Sequence, residues 1–175
     1  MKTITHSEQE TRDFAKKFAT QLKGGDILCL YGELGAGKTT FVKGLADGLG
    51  IAENITSPTF ALMNVYIVIP AVESPLGRGR GGLANVHEPT PALRPPRPSG
   101  DSGMTIKKLI HLDTYRLKDE KELIEIGAED YIGAPNAITV IEWPEKMEDF
   151  LREKKLIKIF LNHASNNKRE ITVQD

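Results

Sequence analysis

Apolar residues recur at helical spacing in two early segments of the chain, 8–23 and 38–49. In each segment they repeat every three or four residues, as one buried face of a helix requires: Phe14, Phe18 and Leu22 in the first, and Phe41, Val42, Leu45 and Leu49 in the second. The sequence Ser7-x-x-Glu10 is typical of a helix N-terminus. Glycines follow both segments, so we predict helices that end at Gly24-Gly25 and at Gly50.

Short apolar runs predict strands between and after these helices. They cover 26–31, 60–66, 106–113 and 137–142, and an alternating pair at 156–161 and 170–173 predicts a hairpin. Short helices are predicted from Asp119-x-x-Glu122 to Gly127 and over 145–151. This order of elements predicts an α/β protein with a mostly parallel central sheet and antiparallel additions.

Hydrophobic periodicity is lost at about 67–105. Most of the chain's 10 prolines lie there, together with several glycines and arginines, and such a segment buries too little apolar surface to offset its ordering entropy. We predict one domain over 1–175, interrupted by a disordered or loosely extended insertion. The insertion is either inert or an RNA or partner contact made by its arginines, Arg78, Arg80, Arg94 and Arg97.

Charge, cysteine content and apolar run length bear on nucleic-acid binding, disulfide formation and membrane association. Lys and Arg total 23 against 24 Asp and Glu, so no overall basic excess indicates nucleic-acid binding. The single cysteine, Cys29, excludes an intrachain disulfide framework and is typical of a small core residue. No apolar run approaches the roughly 20 residues of a membrane helix, so we expect a cytoplasmic protein without membrane association.

The sequence from Gly32 to Thr39 matches G-x-x-x-x-G-K-[ST], the loop that wraps phosphates with backbone N–H groups. It lies between a predicted buried strand and a predicted helix, the context that the motif requires. The helix N-terminus adds unpaired N–H groups and a positive dipole end that face an anion. The motif predicts a P-loop NTPase-type three-layer fold that binds a nucleotide triphosphate.

Two predicted strands end in carboxylates, Asp113 and Glu142. Open α/β sheets bind ligands at the carboxyl ends of their strands, and Mg²⁺ takes one or two carboxylates beside the substrate phosphates. Either acid is a candidate for holding the metal with the Thr39 hydroxyl while the other orients water. Trp143 either covers the nucleotide or packs in the core, and His111 shares a strand face with Asp113 as a candidate supporting group.

Motifs in a fixed order resemble the bacterial tRNA threonylcarbamoyladenosine biosynthesis ATPase family, TsaE (YjeE). They are Gly32-Glu33-Leu34-Gly35-Ala36-Gly37-Lys38-Thr39-Thr40-Phe41, Ser57-Pro58-Thr59-Phe60, His111-Leu112-Asp113-Thr114-Tyr115-Arg116-Leu117, Ile126-Gly127 and Ile141-Glu142-Trp143-Pro144. The resemblance covers nearly the whole chain except the predicted insertion, where the family usually has only a short connection.

The resemblance implies an ATPase that uses Mg²⁺ and acts with TsaD and TsaB in placing threonylcarbamoyl on adenosine 37 of tRNAs reading ANN codons. It implies that the protein meets tRNA chiefly through that complex. By position it makes Lys38 the phosphate lysine, Thr39 and Glu142 the metal ligands, and Asp113 an acid essential to hydrolysis. Thr59 would lie in a switch-like segment. The implied nucleotide contacts are Glu33, Leu34, Gly35, Ala36, Gly37, Lys38, Thr39, Thr40 and Trp143.

Two other functions use the same P-loop. A small-molecule or protein kinase would use Asp113 as the base for a substrate hydroxyl, although no lid or acceptor pocket is recognisable. A nucleotide-dependent binding switch would show negligible turnover.

Overall fold

The structure, a computed structural model, describes residues 1–68, 106–165 and 167–175. Seven strands are interspersed with four α-helices in the order β1 (Lys2–Thr5), α1 (Glu8–Ala19), β2 (Ile27–Tyr31), α2 (Lys38–Leu49), β3 (Met63–Ile67), β4 (Lys108–Asp113), α3 (Lys121–Glu125), β5 (Ala137–Glu142), α4 (Glu148–Leu151), β6 (Leu156–Ser165) and β7 (Lys168–Gln174). Short 3₁₀ turns at Ala128–Asp130 and Pro144–Met147 follow α3 and β5.

The strands form one sheet in the order β1-β7-β6-β2-β5-β4-β3. The four central strands, β6, β2, β5 and β4, are parallel, whereas β1, β7 and β3 join antiparallel at the two sides. This confirms the predicted mostly parallel sheet with antiparallel additions. The register pairs Asp113 with Glu142, so the two predicted acids lie side by side at the carboxyl end of the sheet.

Apolar side chains fill both faces of the sheet and make three layers. One core lies beneath α1 and α2 and includes Phe18, Phe41 and Leu45. The other lies beneath α3, α4 and the 3₁₀ turns and includes Cys29, Leu123 and Met147. Strand β5 is buried at every position because helical layers cover it from both sides, which explains its continuous apolar sequence.

Helices α1 and α2 approach closely enough that glycine is required at their contact. A Cβ on Gly44 would lie 2.3 Å from the Arg12 carbonyl oxygen, and one on Gly48 would lie 2.5 Å from the Lys16 carbonyl oxygen. Arg12 also donates from Nε to Oδ2 of Asp47 across the pair, at 2.5 Å. This close packing fixes α2 against α1.

Several local predictions differ from the structure; the helix predicted over 145–151, for example, is a 3₁₀ turn at Pro144–Met147 followed by the short helix α4. Helix α1 ends at Ala19 rather than at Gly24-Gly25, with its last turn closed by hydrogen bonds to Lys17 and Phe18 carbonyls. Strand β3 begins at Met63 rather than at residue 60, because the Pro58 carbonyl accepts from the Ala61 and Leu62 amides in a turn that leaves Phe60 exposed. Strand β1 was not predicted, since its four residues show little apolar pattern.

The predicted insertion at 67–105 lies almost wholly outside the described residues, as do its four arginines. Ile67 is the last residue of β3, so the ordered strand continues one position into the range predicted as insertion. Among the residues that the structure describes, no helix has the length and apolar character needed to cross a membrane.

Candidate functional site

The loop between β2 and α2 has the backbone of a phosphate cradle. Gly35 and Gly37 adopt φ values of 82° and 100°, which favour glycine, and a Cβ on Gly35 would meet no atom within 4 Å. Glu33 and Leu34 are exposed, whereas Ala36 is buried against the fold. A glycine-rich loop followed by a helix N-terminus suits an anion.

Lys38 begins α2 and turns back over the loop. Its ammonium donates to the carbonyl oxygens of Gly32 at 2.6 Å and Glu33 at 3.1 Å, and it lies 3.7 Å from the centre of a Trp143 ring. Burial lowers the pKa of Lys38, and the nearby carboxylates of Glu142 and Asp113 oppose that shift. The lysine is therefore held at the mouth of the cradle by acceptors that a bound anion can replace.

The side chain of Thr39 hydrogen-bonds to Glu142, which lies 103 residues later in the chain. The Thr39 hydroxyl donates to Oε1 of Glu142 at 3.1 Å, and His111 Nε2 lies 3.0 Å from the same oxygen. Glu142 is 3% exposed and His111 is fully buried. The Glu142 carboxylate, at the end of β5, thus contacts both the first turn of α2 and the interior of β4.

Asp113 has different partners although it lies beside Glu142. Its Oδ2 accepts from the hydroxyls of Ser57 at 2.5 Å and Thr59 at 2.6 Å, and its Oδ1 accepts from the Tyr115 backbone amide at 3.1 Å. Asp113 therefore ties the segment before β3 to the carboxyl end of the sheet. Ser57 belongs to one of the motifs that carry the family resemblance, but it is not among the predicted site residues.

Trp143 has a left-handed backbone, with φ 62° and ψ 47°. That conformation is costly for a bulky residue, so surrounding contacts must hold it. Its indole lies against Lys38 and against the Tyr115 ring, whose centroid is 5.0 Å away, and it is only partly buried. Of the two predicted placements, the structure has Trp143 at the mouth of the site rather than enclosed in the core.

The start of α2 and the loop before it also lie against two residues that the sequence did not indicate, Glu8 and Arg169. Thr40 donates from its hydroxyl to Oε1 of Glu8 at 3.1 Å. A Cβ on Gly37 would lie 2.9 Å from Nε of Arg169, which comes from β7 near the end of the chain. No local motif signals these contacts, because they depend on how α1 and β7 pack around the loop.

The polar groups of this site suit a metal ion that is also bound by phosphate oxygens, rather than one bound by protein side chains alone. Within residues 1–68, 106–165 and 167–175, no three His, Cys, Asp or Glu side chains converge as a metal cluster. Mg²⁺ commonly uses one or two carboxylates together with substrate phosphates and waters. Thr39 and Glu142, adjacent to an open anion cradle, match that donor set.

An open, mostly parallel sheet with this loop between its central strand and a flanking helix defines an α/β protein of the P-loop NTPase fold class. The family model described as "Threonylcarbamoyl adenosine biosynthesis protein TsaE" matches residues 5–74 and 81–171. The chain belongs to the TsaE family, and the resemblance predicted from its motifs is confirmed.

Curated relatives match over nearly the full chain. A tRNA threonylcarbamoyladenosine biosynthesis protein TsaE from Treponema pallidum is 34% identical over 173 residues, covering 99% of this chain and 99% of the relative. One from Bacillus subtilis is 32% identical over 172 residues, covering 98% and 84% respectively. The crystal structure of Bacillus subtilis YdiB superposes with a TM-score of 0.64 at 28% identity, covering 99% of this chain and 83% of that structure.

Proposed function

We propose that this chain binds ATP with Mg²⁺ at the 32–39 loop and hydrolyses it in support of threonylcarbamoylation of adenosine 37 in tRNAs reading ANN codons. TsaD- and TsaB-type proteins would be its partners, and tRNA would be reached through their complex. The observation that carries the proposal is the hydrogen bond between Thr39 and Glu142, which joins the phosphate loop to a strand-end carboxylate. Membership of the TsaE family supports the pathway.

The loop and Lys38 would bind and neutralise the phosphates. The loop supplies backbone N–H groups from 33–38, and the Lys38 ammonium leaves its two carbonyl acceptors to contact the terminal phosphates. Phosphoryl transfer depends mainly on positioning and charge stabilisation, so a preorganised cradle provides much of what the reaction needs.

Glu142 and Thr39 would hold Mg²⁺, and Asp113 would act beside them. Glu142 is the acid that contacts Thr39, so it is the better placed of the two for the metal. When bound, Mg²⁺ neutralises charge on the phosphate oxygens. Asp113 would hold the segment of Ser57 and Thr59 near the terminal phosphate through its hydrogen bonds to their hydroxyls. Asp113 would also orient the attacking water.

The first test is hydrolysis with and without the partners. Purified chain should release phosphate from ATP slowly, and the TsaD- and TsaB-type proteins encoded by the same genome should change that rate and co-purify with the chain. Hydrolysis that is indifferent to both partners, without co-purification, would contradict the proposal. Accumulation of a phosphorylated acceptor in place of free phosphate would favour the kinase alternative.

The second test is Lys38→Ala. Loss of a charged donor to phosphate should weaken ATP binding by about 10- to 100-fold, measured by isothermal titration calorimetry. Lys43→Ala is a matched control, because Lys43 lies on the same helix one turn further along. Unchanged ATP affinity in Lys38→Ala would refute the cradle assignment.

A further inference from the structure

His111 is a buried polar residue between aliphatic neighbours in β4. Its neighbours in sequence are Ile110 and Leu112, and all three are 0% exposed. Its Nε2 lies 3.0 Å from Oε1 of Glu142, whereas Nδ1 is buried without a hydrogen-bond partner among the described residues. An unsatisfied buried acceptor is destabilising, so packing alone gives no reason for an imidazole here.

The tautomer of His111 follows from its partners. An ionised carboxylate only accepts hydrogen bonds, so the nitrogen facing Glu142 carries the proton and donates it. The other nitrogen then has no role in the contacts that the structure describes. The imidazole therefore supplies one hydrogen-bond donor, which points at Oε1 of Glu142.

That oxygen is held from two directions. Thr39, at the start of α2, and His111, inside β4, both contact Oε1. No described residue donates a hydrogen bond to Oε2. Two fixed donors on one oxygen set the orientation of the carboxylate and leave the second oxygen available to a cation.

We propose that His111 is a positioning residue that orients the Glu142 carboxylate for Mg²⁺. The proposal rests on the proposed function, because it concerns the same metal and nucleotide. His111 lies behind Glu142, inside β4, and acts only through that carboxylate. Groups that hydrogen-bond a ligating carboxylate typically change metal affinity by about 10- to 100-fold when they are removed.

The test compares His111→Gln with His111→Asn. Both carry an amide, but only the longer glutamine places its nitrogen where Nε2 stands, within reach of Glu142. His111→Leu removes the donor altogether, and Ile110→Val controls for a change in core packing on the same strand, since Ile110 faces the opposite core. ATP binding is measured by calorimetry over a Mg²⁺ series and in EDTA.

His111→Gln and Ile110→Val should keep the parent response to Mg²⁺. His111→Asn and His111→Leu should raise the Mg²⁺ concentration needed for half of the gain in ATP affinity by about 10- to 100-fold, with ATP affinity in EDTA unchanged. If His111→Leu fails to fold, the Asn and Gln pair still decides the question.

Equal Mg²⁺ responses in His111→Asn and the parent would overturn the positioning role, and so would a loss of affinity that is the same in EDTA. A parent protein that binds no ATP at any Mg²⁺ concentration would instead contradict the proposed function, and the inference with it. The parent measurement therefore separates the two failures.

Discussion

Asp113 and Glu142 are register partners on adjacent strands, yet each is bonded to a different part of the molecule. Glu142 contacts Thr39 at the start of the P-loop helix, and Asp113 contacts Ser57 and Thr59 in the segment before β3. Each carboxylate accepts hydrogen bonds from its own donors, which lowers the cost of burying two acids side by side. At the residue scale, this division gives the two acids distinct roles in the proposed site.

Thr59→Val tests the Asp113 side of that division. Valine keeps the shape but removes a donor to a buried carboxylate, so the free energy of unfolding should fall by about 1–3 kcal/mol, measured by urea denaturation. ATP hydrolysis should slow as well. Thr56→Val is the control, because the Thr56 side chain is exposed and belongs to the same segment. Equal losses in both variants would show that the hydroxyl contact with Asp113 contributes nothing specific.

At the scale of elements, the position of the phosphate loop depends on how β2 packs in the sheet and how α2 packs against α1. Strand β2 is buried on both faces, and α2 packs against α1 through its glycines. Together they determine where the loop between β2 and α2 begins and ends. Changes within this packing should therefore affect stability before they affect chemistry.

Gly44→Ala tests the contact between α1 and α2. Alanine normally stabilises a helix interior by about 1 kcal/mol relative to glycine. Here the new Cβ would lie 2.3 Å from the Arg12 carbonyl oxygen and 2.7 Å from Ala15 Cβ, so the helices must move apart. We expect a loss of about 1–3 kcal/mol in urea denaturation. A gain in stability would mean that the two helices separate without cost.

Cys29 predicts a pH dependence of stability. Burial raises the pKa of its thiol from 9.0 to about 12. Between these values the unfolded chain has lost the proton and the folded chain retains it, so ionisation favours unfolding as the pH rises through this window. The stability difference between the parent and Cys29→Ala should therefore shrink from pH 8 to pH 11 in urea denaturation. A difference that stays constant would contradict the assigned burial effect.

At the scale of the whole molecule, the sheet brings together segments that are far apart in the chain. Strand β3 pairs with β4 across residues 69–105, and the Val68 amide donates to the Lys107 carbonyl at 2.9 Å. The ends of that long connection are thus adjacent. The β4–β5 register then places both acids beside the P-loop helix.

Replacing residues 69–105 with a short Asn-Gly turn tests whether the connection is needed. The strand ends already meet, and a shorter loop costs less closure entropy, so the free energy of unfolding should rise by about 2 kcal/mol. ATP affinity should stay at the parent value if the site consists of the residues described above. Weaker ATP binding in a folded variant would instead assign a role in the site to residues 69–105.

Local patterns in the sequence determined most of the elements and the position of the phosphate loop. The α2 helix, the β5 strand and the αL glycines at 37 and 50 follow from periodicity and glycine placement, which act over a few residues. The ends of α1 and β3 did not follow, because turns formed by Lys17, Phe18 and Pro58 carbonyls set them. The four residues of β1 pair with β7, and no local signal reports such a partner.

Tertiary structure decided which side chains meet. The sequence nominated Lys38, Thr39, Asp113 and Glu142 but left the two acids interchangeable until the family resemblance assigned Glu142 to the metal. Only the folded sheet joins Thr39 to Glu142, His111 to the same oxygen, and Asp113 to Ser57 and Thr59. The physical reason is that periodicity encodes which face of an element is buried, whereas strand order and register, set by packing across the whole chain, determine what that face touches.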